Sequence, residues 1–208
     1  MINDIIRTEN LHSTYAYVDD ITICGHTQED HDINLERFQR AVEKYGLTLN
    51  EDKCKLNQSS INILGHVIKN QEISPDPERM RPLLEMPAPS DANALKRALG
   101  LLSYYSKWVP RFSERLRPIL DCKVFPLTTG AVKAFEELKA EISQASLHGI
   151  EDGVPFLVET DASDEGLAAT LSQAGRPIAF FSRGLSASER HHSSMEREAC
   201  AIVEAIRK

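Results

Sequence analysis

The sequence predicts a mixed α+β fold assembled from more than one part. Three observations carry that reading. TYAYVDDITIC sets two β-prone runs on either side of an acidic pair, as in a hairpin. Apolar residues recur at helical spacing over about 35–45 and again between about residues 95 and 142. After Gly149 the texture returns to short strands and closes on a capped helix.

The elements follow in order. Thr14–Val18 and Ile21–Cys24 read as strands around an Asp19-Asp20 turn. Leu35, Phe38, Val42 and Tyr45 form one helical stripe, and Gly46 is a C-terminal stop. Leu47–Leu49 and Ile61–Ile68 read as short strands. Pro75, Pro77, Pro82, Pro87 and Pro89 mark a boundary with one short helix inside it. Ser90 or Asp91 caps a helix running toward Trp108, with Leu95, Leu99 and Leu102 on one face. Pro110 stops it, Ser113–Leu120 forms another, and Gly130–Ala145 carries the stripe Phe135, Leu138, Ile142. Phe156–Thr160, Leu167–Leu171 and Pro177–Phe181 read as strands, with a turn at Gly175. Ser193 and Glu196 match a capping box opening the last helix.

Composition bounds the function. Hydrophobic residues are 41% and charged residues 26% of 208, which is ordinary for a globular chain. No run approaches the roughly 18 apolar residues of a membrane span, so no membrane partner is expected. Cys24, Cys54, Cys122 and Cys200 are far apart and form no CxxC pair, so reduced thiols in an intracellular setting are expected. The 24 basic residues against 31 acidic ones give a net charge of -7, so any phosphate-binding role must rest on a local patch.

Such a patch runs from Lys96 to Arg117: Lys96, Arg97, Lys107, Arg111, Arg115 and Arg117, opposed only by Glu114. Tyr104, Tyr105, Trp108 and Phe112 interleave with them. Cations for phosphates and flat rings for bases suit a nucleic-acid surface. A helix with a solvated basic face and an aromatic core is the alternative.

Four acidic residues, at three places in the chain, carry candidate chemistry. Asp19 and Asp20 repel each other between apolar strands, and a bound divalent cation removes that cost. A merely solvated turn is the alternative. Asp161 ends the strand of PFLVETDASDEG, where it could equally be a turn residue. Glu198 lies on the flank of the stripe Met195, Ile202, Ile206, from which it could reach the sheet edge where Asp161 ends. It could equally be a boundary residue with its head in water.

YVDD followed by ITIC resembles the YxDD box of reverse transcriptases. ILGHVI at Ile63–Ile68 with ISPDPERM resembles the end of the palm in gypsy-like long-terminal-repeat retrotransposon polymerases. RALGLLSYYSKWVPRFS resembles their thumb. PFLVETDASDEG, RPIAFFSRGLSASER and HHSSMEREACAIVEAI resemble the first half of their RNase H domain. The resemblance implies a partial palm (1–74), a helical thumb (75–121), a connection (122–152) and the N-terminal half of an RNase H-like α/β domain (153–208).

It also implies roles. Asp19 and Asp20 would be two of three palm carboxylates holding Mg²⁺, or Mn²⁺, for nucleotide addition to a primer 3′ end. Tyr17 would lie beside that end, and Gly65 and His66 would support the primer grip. Asp161 and Glu198 would be the first two metal-binding acids of the RNase H site. Primer–template, RNA–DNA hybrid and deoxynucleoside triphosphates are the implied partners. The family's third palm carboxylate, its fingers and the later RNase H aspartates have no counterpart in these residues. Ala98 and His192 stand where many relatives have Phe and Tyr. The 208 residues alone are therefore expected to be catalytically inert. A non-catalytic nucleic-acid-binding remnant and a decayed fragment are the competing readings. The thumb helices are expected to be the most self-sufficient part.

Overall fold

The computed structural model describes residues 2–208 and divides into two compact units, the first ending at Asn57 and the second running Gln58–Lys208. In the first, α1 (Ile2–Thr8) precedes a hairpin of β1 (Thr14–Tyr17) and β2 (Asp20–Ile23), followed by α2 (Gln28–Lys44). Thr27 caps α2 by accepting from the Asp30 amide at 3.1 Å. Phe38, Ala41 and Val42 of α2 bury against Ile5 and Leu11, with Ile21 and Ile23 beside them. Asn34, itself buried, donates to the Cys24 carbonyl at 2.9 Å and ties the end of β2 to α2. Leu47–Leu49 forms no strand. The Leu47 amide bonds back to the Val42 carbonyl at 3.0 Å, so it extends the helix cap instead of entering a ladder.

The second unit opens with an antiparallel sheet in the order β3 (Ser60–Ile63), β4 (His66–Lys69), β5 (Glu72–Pro75), β6 (Leu147–His148). The span read as one strand, Ile61–Ile68, is two. Leu64 and Gly65 both take positive φ, +52° and +83°, which is the backbone of a two-residue hairpin turn.

Four helices pack together next: α3 (Pro77–Leu84), α4 (Ala92–Tyr104), α5 (Phe112–Leu120) and α6 (Thr129–Gln144). Asp76, Asp91 and Thr128 cap α3, α4 and α6. The helix expected to reach Trp108 ends at Tyr104, and Ser106–Trp108 is a 3₁₀ turn. Met80, Leu83, Ala98, Leu102, Trp108, Phe112, Ile119, Phe135, Leu138 and Ile142 form the largest core among the described residues. The thumb-like stretch and the segment after it thus share one interior.

The last part is a sheet in the order β7 (Phe156–Ala162), β8 (Gly166–Gln173), β9 (Arg176–Gly184), with α7 (Ser194–Ile206) on it. Ala174 and Gly175, at φ +48° and +77°, turn β8 into β9. The expected capping box is present: Ser193 and Glu196 satisfy each other's backbone amides. The apolar stripe of α7 does not face the sheet. Met195, Ile202 and Ile206 are exposed, while Ala201 is buried against Leu167 and Leu185. A short alanine lets the helix approach closely, and ion pairs Arg197–Asp164 and Glu204–Arg183 fix its rotation. Among the described residues no helix is long and apolar enough to cross a membrane.

Arg183 on β9 also grips Glu189 through two parallel hydrogen bonds of 2.9 and 2.7 Å. That pairing, helped by the Ser186 amide, holds the Glu189 carboxyl far below the usual range. A depressed carboxylate pKa stabilises the fold above its unfolded value, and the gain is lost as pH falls through the folded value. Glu189→Gln is expected to cost about 1–3 kcal/mol at pH 7 and less as pH drops below about 4. Urea melts at both pH values check this.

Candidate functional site

The β1–β2 hairpin presents the first acidic pair. Its two-residue turn is Val18-Asp19, one position earlier than the acidic turn expected, and Asp20 opens β2 opposite Tyr17. Val18 sits at φ +54° and is 79% exposed. A β-branched residue in that region is strained, and strain of this kind accumulates at functional positions. Tyr17 is 58% exposed. Asp19 and Asp20 are exposed, and among the described residues neither side chain has a hydrogen bond or ion pair. The turn therefore offers two open carboxylates with their lone pairs free. No group of three potential metal ligands occurs among the described residues. Hard oxygen donors of this number suit Mg²⁺, which is commonly held by one or two carboxylates plus substrate phosphates and water.

The Leu64-Gly65 turn brings His66 to the 3₁₀ turn after α4. The His66 and Trp108 rings lie 5.6 Å apart, and Lys107 Nζ is 3.3 Å from His66 Nε2. Lys107 also stands 5.4 Å from the Trp108 ring centre. Partial burial, then Lys107 and then Arg79 push the His66 pKa down, against backbone hydrogen bonds that favour its charge. The imidazolium form of His66 is thereby disfavoured. Arg79, which the sequence reading passed over inside the Pro-rich boundary, lies against Gly65: a Cβ there would meet its Cδ and Nη1 at 2.9 Å.

The basic aromatic segment divides sharply. Tyr105, Trp108 and Phe112 are core residues, so no base can stack on them; only Tyr104 is an exposed ring. Arg111 pairs with Asp161, Arg115 with Glu141, and Arg117 with Asp121 and Glu165 at 3.1 Å each. Lys96, Arg97 and Lys107 are exposed with no carboxylate partner within ion-pair distance among the described residues. Charge counting along the chain could not separate these sets, because the acids that engage the arginines come from α5, α6 and the β7–β8 region.

Asp161 is therefore occupied. Arg111, at φ +50° where α5 begins, directs its guanidinium to that carboxylate. The neighbouring contacts form a seam: Ser163 donates to Glu114 at 2.7 Å, and the Ser113 amide donates to Ser182 Oγ at 2.8 Å. In the ladder Asp161 pairs with Ala168 and Ala168 with Ser182, so these share one face. Ala162, Leu167 and Arg183 share the other, which α7 covers through Ala201. The ladder thus turns Asp161 toward α5, while the helix carrying Glu198 packs on the opposite face. Glu198 is half-buried, about 60° around α7 from both Ala201 and the exposed Met195 stripe. Among the described residues no hydrogen bond or ion pair engages its side chain.

Comparison with known proteins accounts for both units. Residues 1–68 match the family "Reverse transcriptase (RNA-dependent DNA polymerase)", and residues 127–208 match "RNase H-like domain found in reverse transcriptase". The retrovirus-related Pol polyproteins from transposons 297 and gypsy of Drosophila melanogaster are 31% and 29% identical over 97% and 100% of this chain. The chain spans 20% and 22% of their lengths, about a fifth. Among solved structures, foamy viral protease-reverse transcriptase in complex with dsDNA matches with a TM-score of 0.86 at 22% identity, over 100% of this chain and 45% of that one. The same protein with RNA/DNA hybrid matches at 0.81 and 21%, over 99% and 29%. At these identities the likeness establishes the fold.

Proposed function

The chain belongs to the retrotransposon Pol family, as a reverse-transcriptase segment followed by an RNase H-like segment, and on that premise we propose that Asp19 and Asp20 are metal-holding carboxylates of a polymerase palm. In an intact Pol protein the activity would be RNA-directed DNA synthesis, with cleavage of RNA in RNA–DNA hybrids. The observation that carries this reading is the strained Val18-Asp19 turn, which exposes two adjacent carboxylates that nothing else engages. Mg²⁺, or Mn²⁺, bound there would offset charge developing on the phosphate oxygens of a deoxynucleoside triphosphate.

The chain's own residues do the rest. Tyr17, exposed at the end of β1, is suited to lie against a primer terminus. Lys96, Arg97 and Lys107 supply unpaired cations for the phosphates of a primer–template or hybrid duplex. Gly65 and His66 shape a turn close to Lys107, and buried Trp108 backs His66 rather than stacking on a base. Arg111 and Arg115 serve the fold through their carboxylates. A metal shared by Asp161 and Glu198 would have to displace Arg111 and bring the two acids together, so the RNase H part of the proposal requires rearrangement of the α5 seam.

A second reading applies to the 208 residues in isolation. No acid cluster of three occurs among the described residues, and Arg111 covers Asp161; both favour nucleic-acid binding without turnover. Primer extension by a Pol protein carrying this segment, with and without Asp19→Asn and Asp20→Asn, tests the main reading. Undiminished extension in both variants would overturn it. Extension or hybrid cleavage by the isolated chain would overturn the second.

A further inference from the structure

We infer that the seam between α5 and the β7–β9 sheet is an autoinhibitory latch, in which Arg111 holds Asp161 while the sheet is docked and yields it to a divalent cation only when the seam opens. This rests on the reading of Asp161 as a metal-binding acid and supplies its regulation.

As folded, Asp161 does not fit a metal. Its carboxylate is engaged by the Arg111 guanidinium, a cation tethered to another element. The same guanidinium lies 4.0 Å from Glu114, and Glu114 accepts from Ser163, two residues after Asp161, at 2.7 Å. Arg111 thus stands among the carboxylates where an external cation would have to enter. Its backbone, at φ +50° ahead of α5, lies in a region that non-glycine residues rarely adopt, and the surrounding contacts must hold it there.

The Arg111–Asp161 pair alone is too weak for a lock. Its side chains are 56% and 46% exposed, and ion pairs so open to water contribute little. The pair gains persistence from its neighbours. The Ser113 amide donates to Ser182 Oγ at 2.8 Å, and Arg117 reaches Glu165 at 3.1 Å. These contacts fix α5 against β9 and against the β7–β8 turn. Side chains already held in place lose less freedom when they pair, so contacts in one seam strengthen one another.

The seam is also built to open. A cavity of about 340 Å³ lies along it, lined by Ser113, Arg117, Glu165 and Ser182 among others. The Ser113 hydroxyl is buried with no hydrogen-bond partner among the described residues, a cost that opening to water removes. Phe180 of β9 packs against the main core, and Ala201 of α7 packs with Leu167 on the other face. The sheet therefore keeps an anchor and its own helix when the polar contacts part.

The experiment measures Mn²⁺ affinity at Asp161, from paramagnetic broadening of the amides around it, in the full 208-residue chain. The Asp19→Asn, Asp20→Asn double variant is the background, so that the hairpin takes no part. Arg111→Ala is expected to admit Mn²⁺ to Asp161. Glu165→Gln and Ser182→Ala leave Arg111 and Asp161 untouched, yet each is expected to tighten Mn²⁺ there about two- to fivefold, the worth of one exposed polar contact. Coupling of this kind is reciprocal. Arg111→Ala, which leaves the Ser113–Ser182 bond in place, is therefore expected to speed hydrogen exchange of the Ser113 amide by a similar factor. Lys133→Ala, on α6 and paired with Glu137, should alter neither readout. Glu165 is exposed, so its variant carries the test if Ser182→Ala lowers the unfolding midpoint.

Mn²⁺ affinity unchanged by Glu165→Gln and Ser182→Ala, with Arg111→Ala still admitting the ion, would mean that Arg111 simply swings aside. The latch would fall and the metal reading of Asp161 would stand. Tight Mn²⁺ binding at Asp161 with Arg111 in place would overturn the autoinhibition. No broadening around Asp161 even in Arg111→Ala would remove the metal reading and the latch with it.

Discussion

Asp20→Asn, introduced into a Pol protein that carries this segment, is expected to slow primer extension by about a thousandfold, and Asp19→Asn to be similarly severe. A metal-held phosphoryl transfer draws several kcal/mol from charge stabilisation, and each ~1.4 kcal/mol is a factor of ten in rate. Asparagine keeps the size and one oxygen but removes the negative charge that would hold the proposed ion. The loss should appear in kcat with the duplex still bound, because the proposed phosphate contacts come from other residues. Stability should change by no more than about 0.5 kcal/mol, since both side chains are exposed and unpartnered. Single-turnover extension together with thermal unfolding of the same variants separates lost chemistry from lost fold. A modest rate loss tracking a lower melting temperature would mean that the pair is structural.

Phe135→Ala is expected to be the most damaging core change. Phe135 is 0% exposed at the centre of the main cluster, with Ile119, Leu138 and Ile142 equally enclosed, and Lys139 Nζ lies 5.1 Å from its ring centre. Removing a buried phenyl costs about 3–5 kcal/mol in transfer and cavity terms. That is a large share of the ~5–15 kcal/mol that holds a typical domain together. Lys139 adds to the cost. It is nearly buried, bonds the Met86 carbonyl at 2.8 Å and pairs with Glu136, so loosening its packing exposes a charge held largely inside. Chemical denaturation should show the second unit melting much earlier, and a shift under 1 kcal/mol would contradict the packing described.

The local signals in the sequence were legible because their physics is local. Asp91, Thr128 and the Ser193–Glu196 box are caps readable from neighbouring residues, and the helices they open are present. The stripe Phe135, Leu138, Ile142 is buried as its spacing predicts. Leu64 and Leu47 were misread because apolar side chains said nothing of backbone direction. Leu64 takes a left-handed turn beside Gly65, and Leu47 folds back on its helix. On α7 the stripe Met195, Ile202, Ile206 is genuine, but the sheet contacts the helix at Ala201, which hydrophobicity alone does not favour.

The candidate site divides the same way. Asp19, Asp20 and Tyr17 lie within a few residues of one turn, and the structure leaves them exposed at that turn. Arg111 and Arg115 read as phosphate ligands because Asp161 and Glu141, far along the chain, are invisible to local charge counting. Arg79 escaped notice for the converse reason: its relation to Gly65 exists only after β4, β5 and α3 have folded.

On the proposed function, divalent metal seats at Asp19 and Asp20, while Arg111 closes Asp161. Paramagnetic broadening of backbone amides by Mn²⁺ in the 208-residue chain reads both places at once. The expected result is broadening centred on residues 17–21 that disappears in the Asp19→Asn, Asp20→Asn double variant, with amides around Asp161 unaffected until Arg111→Ala is introduced. Broadening centred on Asp161 in the unmodified chain, with the hairpin amides sharp, would contradict it.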